Sequence, residues 1–279
     1  MKNTVFLLLL SLCIIPACKK SALPVAGGNT LNKTVQVISG TSTLSVDSFV
    51  YDGQQRLAEI ICSGIDDLGN PIADTITFQY DASGRVLSWI LIGGGVGREV
   101  SYELSYDGNG RLVNELAVPQ QTDLACSDYS FAYDARGQLV TDTIYAQHLA
   151  GIPSAGIMSY DNWTYDETGN AIADQLFTGS NPDLVGPPFT AGVPSTYRYD
   201  NQVNPYYHAG IPFFCSAAFE GVQLLSPNNL VGGTASGVSV QSPYTFSYAY
   251  YSNGRPREQT TAVYGATGPV TQTIRYFYQ

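Results

Sequence analysis

Phe78-Gln79-Tyr80-Asp81-Ala82-Ser83-Gly84-Arg85-Val86-Leu87 reads as the end of one strand, a tight turn and the start of another. Ahead of the turn, Ile76, Phe78 and Tyr80 alternate with Thr77 and Gln79, and a period of two places them on one sheet face. Asp81 suits the first turn position because its carboxylate accepts backbone N–H bonds. Gly84 suits the left-handed conformation of a bulged hairpin. The stretch is a hairpin.

The hairpin repeats. Tyr-Asp recurs at Tyr51-Asp52, Tyr80-Asp81, Tyr106-Asp107, Tyr133-Asp134, Tyr165-Asp166 and Tyr199-Asp200, and a seventh copy, Tyr250-Tyr251-Ser252-Asn253-Gly254-Arg255, lacks the Asp. Successive copies lie 29, 26, 27, 32, 34 and 51 residues apart, and self-similarity at this period outranks any local motif. Gly84, Gly110, Gly137, Gly169 and Gly254 hold the same place, whereas the first copy has Gln55 there and the sixth Val203. Tyr102, Leu104, Tyr106; Tyr129, Phe131, Tyr133; and Phe246, Tyr248, Tyr250 repeat the alternation. Cross-strand pairing of these rings then builds the sheet. An active site is needed once and a turn every time, so the aspartates are assigned to turns. Calcium takes 6–8 oxygens, and each loop offers about one carboxylate. No metal and no cofactor are expected.

Seven hairpins supply about fourteen strands, more than the roughly ten that an open twisted sheet tolerates. The fold class expected is all-β: an antiparallel meander of these hairpins forming a strongly curved sheet, closed in part, aromatic face inward. It forms a single domain over residues 32–279. Ile274, Tyr276 and Tyr278 alternate, which predicts a strand at the C-terminus. No amphipathic helix is expected after residue 30.

The pattern aromatic-x-Tyr-Asp-x-x-Gly-Arg resembles the YD repeat of Rhs proteins across most of Phe49 to Arg257. Tyr199-Asp200-Asn201-Gln202-Val203-Asn204-Pro205-Tyr206, followed by Leu225-Ser226-Pro227-Asn228-Asn229-Leu230, is similar to stretches of uncharacterised YD-repeat lipoproteins of Bacteroidota. The resemblance implies an all-β fold and no established activity.

Residues 1–17 read as a lipoprotein signal peptide. Lys2 precedes an apolar run, Val5 to Ile15, too short for the roughly 20 residues that span a bilayer. Ile15-Pro16-Ala17-Cys18 resembles the bacterial lipobox, with Pro16 a departure, and makes Cys18 the lipid attachment site. Several acyl chains there would hold the protein on its membrane, since one alone binds marginally. Lys19 is not the aspartate of an inner-membrane retention signal, and no acidic cluster follows. The expectation is an outer-membrane, lipid-anchored, periplasm-facing protein, with residues 18–31 as a tether of about 20 Å reach.

Charge excludes one class of partner. Every Lys lies in the first 33 residues; beyond them stand 9 Arg against 23 Asp and Glu, a net −14 that repels nucleic acid. Cys62, Cys126 and Cys215 form at most one disulfide. Only His148 and His208 offer imidazole chemistry, and no HExxH, GxSxG or Walker loop occurs.

Four stretches break the repeat: His148 to Ser159, Gly179 to Ser195, Asn204 to Cys215, and Ser226 to Gly237. Long loops on a rigid scaffold carry binding. Asn204 to Phe214 concentrates aromatics, with Tyr206 expected to plug the sheet and Tyr207, His208 and Phe213 to contact ligand. These readings favour a non-catalytic binding or scaffolding module of the cell envelope, with glycan or protein as ligand. The alternatives are a structural subunit of an envelope complex and a hydrolase of envelope polymers.

Overall fold

The structure, a computed structural model, describes residues 30–38, 44–65, 71–93, 98–119, 128–145, 156–181, 184–209, 221–236, 241–265 and 268–279. Its strands run in chain order as β1 (Leu31–Ile38), β2 (Leu44–Tyr51), β3 (Leu57–Ile65), β4 (Pro71–Tyr80), β5 (Val86–Gly93) and β6 (Arg98–Tyr106). Then come β7 (Leu112–Pro119), β8 (Tyr129–Tyr133), β9 (Leu139–Tyr145), β10 (Ile157–Tyr165), β11 (Ala171–Asn181) and β12 (Leu184–Ala191). The last five are β13 (Ser195–Val203), β14 (Asn228–Ser236), β15 (Gln241–Tyr250), β16 (Pro256–Gly265) and β17 (Gly268–Tyr278).

Every recorded pairing is antiparallel, and β1 pairs with both β2 and β17. The meander therefore closes into a barrel of sixteen strands, while β12 stands beside β11 as an extra arm. Fourteen of the sixteen are the arms of the seven repeat hairpins, and β1 and β17 complete the ring. Thr30 and Gln279 lock that closure by exchanging backbone N–H···O bonds of 3.3 and 3.0 Å. Two seams are short: β7–β8 and β11–β13 each register only two residue pairs.

Six of the seven motif tyrosines end their strands at a bulge, and the other, Tyr199, sits at a bulge inside β13. The register slips between Val50 and Tyr51, Gln79 and Tyr80, Ser105 and Tyr106, Ala132 and Tyr133, and Ala249 and Tyr250. A bulge adds twist, and repeating it around the ring curves the sheet. At the turn glycine, φ is +83° at Gly84 and lies between +79° and +91° at Gly110, Gly137, Gly169 and Gly254. In the first copy Gln55 takes φ +62° instead.

Inward positions make one continuous core of Phe49, Ile60, Ile76, Phe78, Trp89, Leu104, Phe131 and Tyr276, with motif tyrosines packed against it. Trp89 stacks on Tyr102 at 4.0 Å. The outward positions are mixed. Ser and Thr dominate, the charged Glu59, Glu103, Glu258 and Arg275 sit among them, and aliphatics such as Leu87 and Ile92 are interspersed.

Two expectations need adjusting. Two short helices do follow residue 30: α1 (Pro205–His208) and α2 (Gly221–Leu225), too brief to show helical periodicity. Ser226 to Gly237, read as a loop, is mostly β14, and Gly179 to Ser195 carries the end of β11 and all of β12. Cys62 is a buried free thiol, while Cys18, Cys126, His148, Cys215 and the signal and tether region to residue 29 fall outside the described residues.

Candidate functional site

All the motif turns lie at one end of the barrel, because each joins the same ends of adjacent antiparallel strands. In the second copy Asp81 Oδ1 accepts the backbone N–H groups of Ser83 and Arg85 at 2.8 and 2.9 Å, and Oδ2 accepts Arg85 Nε at 2.8 Å. Asp52 with Arg56 and Asp107 with Arg111 repeat this geometry. Those backbone bonds, then the arginine side chain, hold the three carboxyls below the usual aspartate range. Asp134 and Asp166 lack the arginine. Asp134 accepts the N–H of Gln138, and Asp166 accepts both the N–H and the Nδ2 of Asn170.

The arginine reaches onward. Arg56 lies over the ring of Tyr80 at 4.3 Å, Arg85 over Tyr106 at 4.8 Å, Arg111 over Tyr133 at 5.3 Å and Arg255 over Tyr278 at 5.5 Å. The first three turns are thereby clamped each to the next, and the seventh to β17.

At the sixth copy the chain leaves the turn after Asp200 and returns at Asn228, having made α1 and α2. Asp200 Oδ1 accepts the N–H of Gln202, as in the other turns, but its second backbone donor is Asn229 at 3.2 Å. The insertion is thus spliced into an otherwise regular turn. Asn204 caps α1: its Oδ1 accepts from Tyr206 N at 3.0 Å, and its Nδ2 donates to the carbonyls of Gln223 and Ser226. Pro205 occupies the first helical position, where a missing N–H costs nothing. Ser226 Oγ, fully buried, accepts the N–H of Ala171.

Tyr206 is buried and meets Tyr276 edge-on at 5.8 Å, and Leu224 joins the same core. Tyr207, next to it, is 44% exposed. His208 ends α1 with only its backbone described, and Phe213 and Phe214 lie outside the described residues. Asp52, Asp81, Asp107, Asp134, Asp166 and Asp200 all stand at turns, as do the glycines Gly84, Gly110, Gly137, Gly169 and Gly254.

Beside the insertion an open cleft of ≈ 680 Å³ runs between the fifth turn and the spliced sixth. Asp166, Thr168, Asn170, Ile172, Arg198, Asp200, Asn201 and Asn228 line it, with Tyr197 and Tyr199 at its inner side. Most of its polar groups are spent on one another. Asn170 and Asn228 exchange two bonds of 3.1 Å, and Tyr199 donates to the Ala171 carbonyl. Sequence reading overlooked this cleft and Arg198 with it. Asn204-Pro205 did carry a signal, an N-cap followed by proline.

Carboxyls also point inward. Glu115 is 2% exposed and accepts Trp89 Nε1 at 2.9 Å, yet burial pushes it up to about 8. Burial raises Asp47 and Asp142 as well, and takes Asp161 to about 7 with help from the charges of Asp142 and Asp174. Trp163 donates to Asp142 at 2.5 Å, and Tyr197 donates to Asp174. Among the described residues, no group of three or more His, Cys, Asp or Glu is placed to hold a metal.

No protein-family profile matches the chain, and no curated protein does. Among solved structures, a porin-like protein from Bacteroides uniformis is 13% identical, with a TM-score of 0.56 over 91% of this chain and 99% of that one. A Photorhabdus luminescens Tc holotoxin pore is 14% identical over 88% of this chain and 14% of that one, with a TM-score of 0.34. The first likeness is one of fold alone; the second carries no argument. A membrane-spanning barrel turns an apolar band about 25 Å tall toward lipid. Here the outward positions mix Ser, Thr and charges with exposed aliphatics such as Ile61, Leu87, Ile92 and Leu116 and the cluster of Tyr160, Phe177 and Phe189, while most packed aromatics face in.

Proposed function

We propose that the protein is a non-catalytic binding module of the cell envelope, anchored in the outer membrane through Cys18, with a glycan as ligand. One observation carries the reading. The interior is closed by packed aromatics and buried carboxyls, and at the barrel's end an open cleft gathers hydroxyl, amide, carboxylate and guanidinium groups beside the apolar Ile172. Convergent hydrogen-bonding groups beside an apolar contact are the usual means of orienting a small ligand.

Two experiments test it. Metabolic labelling with a clickable palmitate analogue should mark the protein, and Cys18→Ala should abolish both label and membrane retention. Capture on a glycan array should detect the ligand; a protein that binds no saccharide overturns the reading. A second reading, a subunit of an envelope complex, is favoured by the outward cluster in which Tyr160 stacks on Phe177 at 4.7 Å and meets Phe189 at 5.2 Å. Co-purification of a stoichiometric partner, lost in Phe189→Ser, would select it.

A further inference from the structure

We propose that the motif-turn end of the barrel rests on the membrane that holds Cys18, through exposed apolar side chains and arginines that fit a phosphate-bearing lipid surface. This rests on the lipid-anchor part of the functional reading and adds to it the face that meets the lipid.

The chain itself leads there. Tyr51, the last residue before the first turn, donates a 2.8 Å hydrogen bond to the Leu31 carbonyl. Leu31 pairs with Tyr278, whose hydroxyl donates to the carbonyl of Pro256, the first residue after the seventh turn. The segment that carries Cys18 therefore joins the barrel at its turn end. A chain of twelve residues, 18 to 29, reaches about 20 Å. The wall is taller: a nine-residue strand such as β3 or β6 runs about 30 Å. Setting the opposite end on the membrane would draw the tether out along the whole wall. The turn end needs none of that reach.

Two features of the surface fit lipid at that end. Exposed apolar side chains stand there: Val50 just before the first turn, Leu87 just after the second, and Val203 and Tyr207 in the sixth. Apolar side chains gain by entering the headgroup boundary, and tyrosine favours that depth. The turns also hold Arg56, Arg85, Arg111, Arg136 and Arg255, five of the nine arginines beyond residue 33. Against the seven turn carboxyls, Glu167 and the six Tyr-Asp aspartates, they leave this end near charge balance. The connections at the other end have in sequence Asp66, Asp67, Asp123 and Asp183 and neither arginine nor lysine. An anionic lipid surface repels that end and tolerates this one. The cleft keeps its access, because Ile172 and Arg198, exposed on the outer wall, line it.

The acylated full chain is to be reconstituted on vesicles of phosphatidylethanolamine and phosphatidylglycerol, with and without acyl chains brominated near the headgroup, which quench tryptophan on contact. Leu87 and Ile92 make a matched pair, on one strand at 52% and 47% exposure, and Met158 lies on the wall two residues before Tyr160. Over the wild-type signal of Trp89 and Trp163, Leu87→Trp and Tyr207→Trp should be quenched at least twofold more than Ile92→Trp and Met158→Trp, with melting temperatures unchanged. Equal quenching of Leu87→Trp and Ile92→Trp, stronger quenching of Met158→Trp, or no quenching of any variant on vesicles that carry the chain overturns the inference and leaves the anchor in place. A wild-type chain that neither takes up acyl label nor floats with the vesicles overturns both.

Discussion

The phenol of Tyr80 donates a 2.7 Å hydrogen bond to the carbonyl of Leu57, which stands six residues after the preceding repeat's tyrosine. Tyr51 reaches Leu31 in the same way, Tyr106 reaches Val86, Tyr199 reaches Ala171 and Tyr278 reaches Pro256. At Val86, Ala171 and Pro256 the acceptor again lies six residues after the previous motif tyrosine. That carbonyl sits beside the bulge, where the regular ladder slips. The tyrosine thus repairs the gap that the previous hairpin's bulge opens, and the motif needs its phenol for a reason internal to the repeat.

Tyr80→Phe removes this bond and keeps the ring. It should destabilise the barrel by about 1 kcal/mol, the usual net worth of one hydrogen bond. Urea denaturation should show it, and Tyr106→Phe should match within error. A cost near zero would mean that water takes over the Leu57 carbonyl.

The turn glycines separate conformation from space. Gly84 has φ +83° and Gly108 has no such constraint; a Cβ at Gly108 meets nothing within 4 Å. Gly84→Ala should therefore cost about 1–3 kcal/mol of backbone strain. Gly108→Ala should change stability by less than about 0.5 kcal/mol. Thermal melts of the two variants side by side test the contrast.

The repeat made the barrel legible because each hairpin announces itself within ten residues. Closure was harder to read: it joins Thr30 to Gln279, and no local pattern links chain ends. β14 (NNLVGGTAS) lacks alternation because two glycines serve close approach; a Cβ at Gly233 would stand 2.0 Å from the Thr196 carbonyl oxygen. The cleft was invisible for a third reason. It assembles residues 166–172 with 198–201 and 228, and Arg198 looks in sequence like any strand arginine. Tyr206 and Tyr207, by contrast, were separable because Pro205 rigidifies the chain just before them.

Two sets of carboxyls set opposing pH dependences. Asp52, Asp81 and Asp107 are held low, so the stability they add is present above about pH 4 and is lost as pH falls through their folded values. Glu115, at about 8, and Asp161, at about 7, are held high. Between their unfolded and folded values the native state binds more protons, so stability falls as pH rises from about 4.5 toward 8. The maximum should lie near pH 4–5, more acid than is usual. Glu115→Gln keeps an acceptor for Trp89 and removes the titration, so it should stabilise at pH 8 more than at pH 5. Denaturation midpoints at the two pH values measure it, and equal shifts would contradict the burial argument.

The insertion stands on one amide. Asn204 accepts through Oδ1 from the first turn of α1 and donates through Nδ2 to two carbonyls, one in α2 and one just after it, and its own N–H reaches the Pro227 carbonyl at 2.9 Å. At 2% exposure, water cannot replace these partners. Asn204→Ala strips a cap worth about 0.5–2 kcal/mol and also leaves two carbonyls short of a donor, at about 1 kcal/mol or more each. Asn204→Asp keeps the cap but presents a carboxylate to those same carbonyls, so it should be nearly as damaging, which a simple cap would not predict. Tyr206→Ala empties a site against Tyr276 and should cost about 3–5 kcal/mol. Tyr207→Ala, one residue on and exposed, should cost less than about 0.5 kcal/mol. Urea titrations of the four variants decide between an insertion that braces the barrel and one that merely rests on it: if Tyr206→Ala and Asn204→Asp both unfold at the wild-type midpoint, the bracing role is wrong.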